Sequence, residues 1–139
     1  MTKEIILKGR KVVKGKAAGY AVVSTEPISF NGGVDPATGI MTEEEHPIKD
    51  VNIAGKVLVF PTGKGSTGGS NRIYDMADRK TAPVAFIQAN AEPITTIGAI
   101  MADIPVVDKL DQDPFAVIET GDYVEVDADN GIVKVIKKE

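Results

Sequence analysis

Four consecutive apolar residues, Val57-Leu58-Val59-Phe60, stand between a Gly55-Lys56 turn and Pro61. A strand of this kind has no polar side to offer to water, so the fold must cover both of its faces. Two further segments repeat the feature, "PVAFIQA" from Pro83 and "IPVVDKL" from Ile104. Helical patterns lie between them. Ile73, Met76 and Ala77 fall at i, i+3 and i+4 in a helix that can run no further than Pro83, and "TTIGAIMAD" sets Ile97, Ile100 and Met101 on one face. Continuous apolar strands alternating with helices indicate parallel βαβ units.

The two ends of the chain follow a different rule. Residues 4–8 and 17–23 read as strands bounded by Lys/Gly turns, and "DYVEVDADNGIVKVI" alternates with period two around Asn130-Gly131, a strong hairpin signal. The expected fold is α/β: a three-layer β/β/α domain over residues 1–139, with antiparallel hairpins packed on a mixed sheet carrying two helices. From Glu26 to Val51, three prolines and three glycines interrupt any period. So long a connection is usually functional or disordered; "NGGVDPATG" reads either as a tight pair of turns or as a loop that docks or closes over a ligand, with contact expected rather than catalysis.

Residue counts remove several chemistries. With no cysteine and one histidine, His46, the chain has no thiolate nucleophile, no disulfide and no thiolate-ligated zinc or cluster site. A Ser-His-Asp triad would have to use His46. A net charge of -4 argues against a nucleic-acid partner. Lys3, Lys8, Arg10, Lys11, Lys14 and Lys16 crowd the start of the chain without aromatics among them, and a solvated strand face is expected there, with an anion-attracting or subunit-contacting surface as the alternative. No apolar run approaches the ~20 residues that cross a membrane, and the opening residues do not resemble a secretory signal, so a cytoplasmic protein is expected. "DADNG" has the wrong spacing for a calcium loop and reads as a hairpin turn.

The loop "GKGSTGGS", Gly63 to Ser70, is where chemistry is to be sought. A nucleotide P-loop needs Lys and Ser/Thr directly after its last glycine, and here Gly69 and Ser70 follow Gly68. Gly63-x-Gly65-x-x-Gly68 matches a dinucleotide fingerprint, but Pro61 ends the strand early and the acidic partner would have to be Glu92. The third reading has the loop present a hydroxyl, Ser66 or Thr67, at the amide-rich start of a helix. Lys64 and the backbone N–H groups of Gly65, Gly68 and Gly69 would then stabilise an alkoxide or bind an anionic substrate. Helix capping by either hydroxyl is the plainer alternative. A non-enzymatic module that holds a small anion or nucleotide at this loop also stays open.

Taken in order, "SFNGGVDPATG" (Ser29 to Gly39), His46-Pro47, "GKVLVFPTGKGSTGGS" (Gly55 to Ser70) and "EPITTIGAIMADIPVVD" resemble the small subunit of aconitase X-type hydro-lyases. The resemblance implies a swivelling β/β/α domain that works with a large subunit carrying a 4Fe-4S cluster, this chain holding no metal. It implies Ser66 as catalytic base, with Lys64, Gly65, Thr67, Gly68 and Gly69 near the substrate. The implied reaction is dehydration of a hydroxy acid, either a phosphorylated mevalonate or hydroxyproline; the separate, uninterrupted chain favours the former. Two positions depart from the pattern: Asn31 replaces a common aromatic, and Gly68 stands where aconitases proper carry an arginine.

Overall fold

The computed structural model describes residues 2–64 and 68–138. Its strands are β1 (Thr2–Lys8), β2 (Arg10–Val13), β3 (Lys16–Val23), β4 (Val57–Phe60), β5 (Ala85–Gln88), β6 (Val106–Asp108), β7 (Tyr123–Asp127) and β8 (Ile132–Lys138). The helices are α1 (Gly68–Asp78), α2 (Pro93–Ala102) and a single turn, α3 (Pro114–Val117), which sequence reading did not anticipate. The strands run in the order β1-β8-β7-β3-β4-β5-β6-β2. Pairing is parallel from β3 through β4 and β5 to β6, and antiparallel elsewhere.

β1 and β2, at opposite ends of that order, are separated only by Gly9. The sheet therefore curls until its first and last members are one bent strand. A Cβ at Gly9 would stand 2.5 Å from the Asp108 carbonyl and 2.8 Å from Leu110 Cδ2, so only glycine fits the bend. β3 bends similarly: residues 16–20 pair with β7 and residues 21–23 with β4.

Curling produces two packed β layers, and the helices add a third. Side-chain alternation sorts each central strand between two cores. Val57, Val59, Ala85 and Ile87 join Leu7, Val124, Val126, Val133 and Val135 between the β layers. Leu58, Phe60 and Phe86 point the other way, onto Ile73 and Met76 of α1 and Ala99 of α2. Both faces of β4 and β5 are thus covered, as their apolar runs require, and every residue of both strands is buried.

The two long helices touch closely because their contact residues are small. A Cβ at Gly98 would lie 2.8 Å from Ile73 Cδ1 and 3.1 Å from Ser70 Cα. One consequence reverses the simplest reading of α2. Ile97, Ile100 and Met101 do share a face, but it is the outer one, 41–57% exposed, while Thr95, Gly98 and Ala99 are buried. The expected turn at residues 127–131 is present, with Gly131 left-handed at φ 66° closing it.

Residues 24–52 contribute only isolated bridges: Ile28 with Gly63, Val34 with Met41, and Ile40 with Asn52. The segment is nevertheless packed. Ile28, Phe30, Val34, Met41 and Ile48 all enter the helix-side core.

Candidate functional site

Three parallel strands end on the same side of the molecule: β4 at Phe60, β5 at Gln88 and β6 at Asp108. In open α/β sheets, ligands bind beyond the carboxyl ends of such strands. The glycine loop leaves β4 there and enters α1. Gly65, Ser66 and Thr67, the centre of the expected site, lie outside the described residues. Their flanks are described on both sides.

On the entry side, the Lys64 N–H donates to the Ile28 carbonyl at 2.9 Å, tying the loop to the long excursion. The Lys64 ammonium meets Glu43 Oε2 at 2.8 Å, with the glutamate about a quarter exposed. The loop's cation is thus shared with a carboxylate rather than free. Gly63 is held more tightly. A Cβ there would strike the Glu92 carboxylate and approach Thr95 Cγ2 to 2.5 Å.

On the exit side, Gly68 and Gly69 begin α1, whose first amides have no upstream helical carbonyl to bond. A Cβ at Gly68 would stand 2.7 Å from Asn31 Nδ2, and one at Gly69 2.9 Å from Ile94 Cγ2. Asn31 and Gly68, the two departures from the family pattern, are therefore neighbours, and the amide occupies the space that a side chain at position 68 would need. The Ser70 hydroxyl donates to the Ile94 carbonyl at 2.6 Å.

The first turn of α2 thus meets both flanks of the loop. Glu92, the acidic partner that a dinucleotide fingerprint would need, instead caps α2 with its carboxylate, accepting from Ile94 N at 2.8 Å and Thr95 N at 2.7 Å. Pro93 follows at the first helical position, where its missing N–H costs nothing. Just ahead, the Ala91 N–H donates to Asp108 Oδ2 at 2.8 Å. Asp108 is fully buried and receives two hydrogen bonds from the Arg10 guanidinium, at 2.7 and 2.8 Å. Burial pushes this carboxyl up, but the Arg10 hydrogen bonds, the Ala91 amide and the charges of Arg10 and Lys109 outweigh it. Its pKa is held below the usual carboxylate range.

His46 is buried, with both ring nitrogens engaged. Nδ1 accepts from the Ile48 N–H at 3.3 Å, which leaves Nε2 as the donor to the Pro27 carbonyl at 3.0 Å. This is a structural arrangement that folds the excursion on itself. Among the described residues no three metal-ligating side chains converge. With no cysteine in the sequence, the donors of this chain do not fit an iron–sulfur cluster.

A curled mixed sheet, a helix layer on one side and a strand–glycine loop–helix crossing define a β/β/α domain of the swivelling kind. The chain belongs to the aconitase X swivel domain family, whose model matches residues 6–135. It is 52% identical over 131 residues to the phosphomevalonate dehydratase small subunit of Thermococcus kodakarensis, covering 94% of this chain and 96% of that one. The Methanosarcina acetivorans protein of the same name is 47% identical over 133 residues, covering 96% and 92%. Among solved structures, the holo-form of Thermococcus kodakaraensis aconitase X superposes with a TM-score of 0.89 at 52% identity, covering 94% of this chain and 98% of that one.

Proposed function

We propose that this chain is the small subunit of a hydro-lyase that dehydrates mevalonate 5-phosphate to trans-anhydromevalonate 5-phosphate in a mevalonate route to isoprenoids. The observation that carries the reading is identity near one half over almost the full length of relatives that bear that name. Ser66 is the catalytic base in this proposal. Its alkoxide takes the proton from the carbon beside the substrate carboxylate, and the amides at the start of α1, including those of Gly68 and Gly69, favour negative charge at that point.

The other half of the reaction, loss of hydroxide, needs an acid catalyst, and with no cysteine this chain has no thiolates to hold an iron–sulfur cluster for it. The proposal gives that half, with the 4Fe-4S cluster, to a large subunit. Lys64, paired with Glu43, supplies a shared cation for the substrate phosphate and leaves most of the phosphate pocket to the partner.

The test uses the anaerobically assembled two-subunit complex, supplied separately with mevalonate 5-phosphate and with cis-3-hydroxyproline. Formation of the conjugated acid from the first is expected. Turnover of hydroxyproline alone would overturn the substrate and keep the dehydratase. Ser66→Ala should lower kcat ~100-fold or more, as loss of a proton-transfer group does, without releasing the large subunit. A Ser66→Ala complex with near-normal rate would make Ser66 a helix cap.

A further inference from the structure

Gln88 is the polar side chain that the fold explains least. It ends β5 opposite Phe60, on the helix side of the sheet, and is fully buried. Its Nε2 donates to Thr95 Oγ1 at 3.3 Å, while its Oε1 has no partner among the described residues. Burying an acceptor without a donor is costly, and methionine or leucine would fill the volume without that cost. A site optimised for stability alone would not carry an amide there.

The amide's one contact leads to the loop. Thr95 Oγ1 donates in turn to the Glu92 carbonyl at 3.4 Å, and Thr95 N and Ile94 N are held by the Glu92 carboxylate. Glu92 and Thr95 confront Gly63, while Ile94 confronts Gly69 and accepts from Ser70. Gln88 therefore sits beneath the one turn of helix on which both described flanks of the glycine loop rest.

We propose that Gln88 is a positioning residue: acting through Thr95, it fixes the first turn of α2 and so sets the separation and orientation of the two loop flanks that carry Ser66. The inference rests on the proposed role of that loop in dehydration. It predicts an uncoupling of stability from rate. Gln88→Met removes the unpaired acceptor and keeps the volume, so thermal stability of the chain should hold or rise. In the assembled complex, kcat should fall roughly 10–100-fold, the size of effect that misplacing a reacting group produces, with KM changed less than about twofold. Thr95→Val should lower kcat to the same extent but at a cost in stability, because it leaves buried Gln88 Nε2 without its acceptor. The double variant should lose no more kcat than either single one, because both break one connection.

Amide hydrogen exchange on the full chain supplies a readout that needs no substrate. Exchange at Lys64, Ile94 and Thr95, whose N–H groups donate to the Ile28 carbonyl and the Glu92 carboxylate, should quicken in Gln88→Met while β4 and β5 stay protected. If the wild-type complex turns over no mevalonate 5-phosphate, the proposed function fails, and the exchange pattern still decides this inference. Unchanged exchange at those three amides, or an unchanged kcat in an active complex, would overturn it. So would a kcat loss matched by uniform loss of protection, which marks general destabilisation.

Discussion

Phe30 offers the sharpest test of how the long excursion is attached. It is 2% exposed and completes an aromatic trio, its ring centroid 6.1 Å from Phe60 and 5.5 Å from Phe86. Phe60 and Phe86 meet edge to face at 5.5 Å. Residues 24–52 have isolated bridges and a few backbone hydrogen bonds to the rest of the fold but no strand of their own, so buried side chains such as this one carry much of their attachment. Phe30→Ala should cost about 3–5 kcal/mol, combining lost burial with an unfilled cavity. That is a large share of a typical 5–15 kcal/mol total, and corresponds to roughly 10–20 °C in Tm. Phe30→Leu keeps most of the volume and should cost under ~1.5 kcal/mol. Urea denaturation followed by far-ultraviolet circular dichroism measures both. The turn that follows Phe30 is closed by the Gly33 N–H donating to the Ser29 carbonyl at 3.0 Å, so Phe30→Ala should also quicken amide exchange at Gly33. A cost below about 1 kcal/mol for Phe30→Ala, at unchanged m-value, would refute the claim that this ring anchors the excursion.

Two further outcomes follow from contacts at the strand ends. Gly63→Ala drives a methyl into Glu92 and Thr95, and should destabilise by about 1–3 kcal/mol while lowering kcat in the complex; a variant with wild-type Tm and rate would show that this approach is not tight. Asp108, with its depressed pKa, contributes stability that is fully present above its unfolded value of about 3.9 and is lost as pH falls through the lower folded value. Tm measured from pH 6 to pH 2 should therefore fall more steeply for wild type than for Asp108→Asn, and parallel curves would remove Asp108 from the acid transition.

The central strands were legible because their signal is local. Val57–Phe60 and Ala85–Gln88 have no polar side, and burial on both faces follows whatever the topology. The C-terminal hairpin was legible for the same reason. The face of α2 was not. Hydrophobicity favours Ile97, Ile100 and Met101, but the packed side is set by how near α1 can come, and Gly98 and Thr95 allow the closer approach. The excursion was opaque because its order comes from side chains inserted into a distant core, which leaves no period. Within the site, spacing alone held Ser66 level between base and helix cap, and the base role is what the family likeness implies. Lys64 looked like a free cation until folding brought Glu43, 21 positions away, within 2.8 Å. Glu92, Gln88 and Asp108 belong to the site through tertiary contacts that no short motif encodes.

The bent strand at residues 2–13 bears on the order in which the molecule can form. Its strand partners are β8, where Thr2 faces Lys138, and β6, where Arg10 faces Asp108. The segment made early on the ribosome must wait for one made late, and pairing across such sequence separation is slow. Until then two strands stand with open edges, the state in which chains associate wrongly. Lys3, Lys8, Arg10 and Lys11 lie in this waiting segment, all of them exposed in the finished fold. Charge on an unpaired edge repels a second copy of itself. The basic residues of this segment, Arg10 among them tied to Asp108 in the finished fold, thus protect the nascent chain.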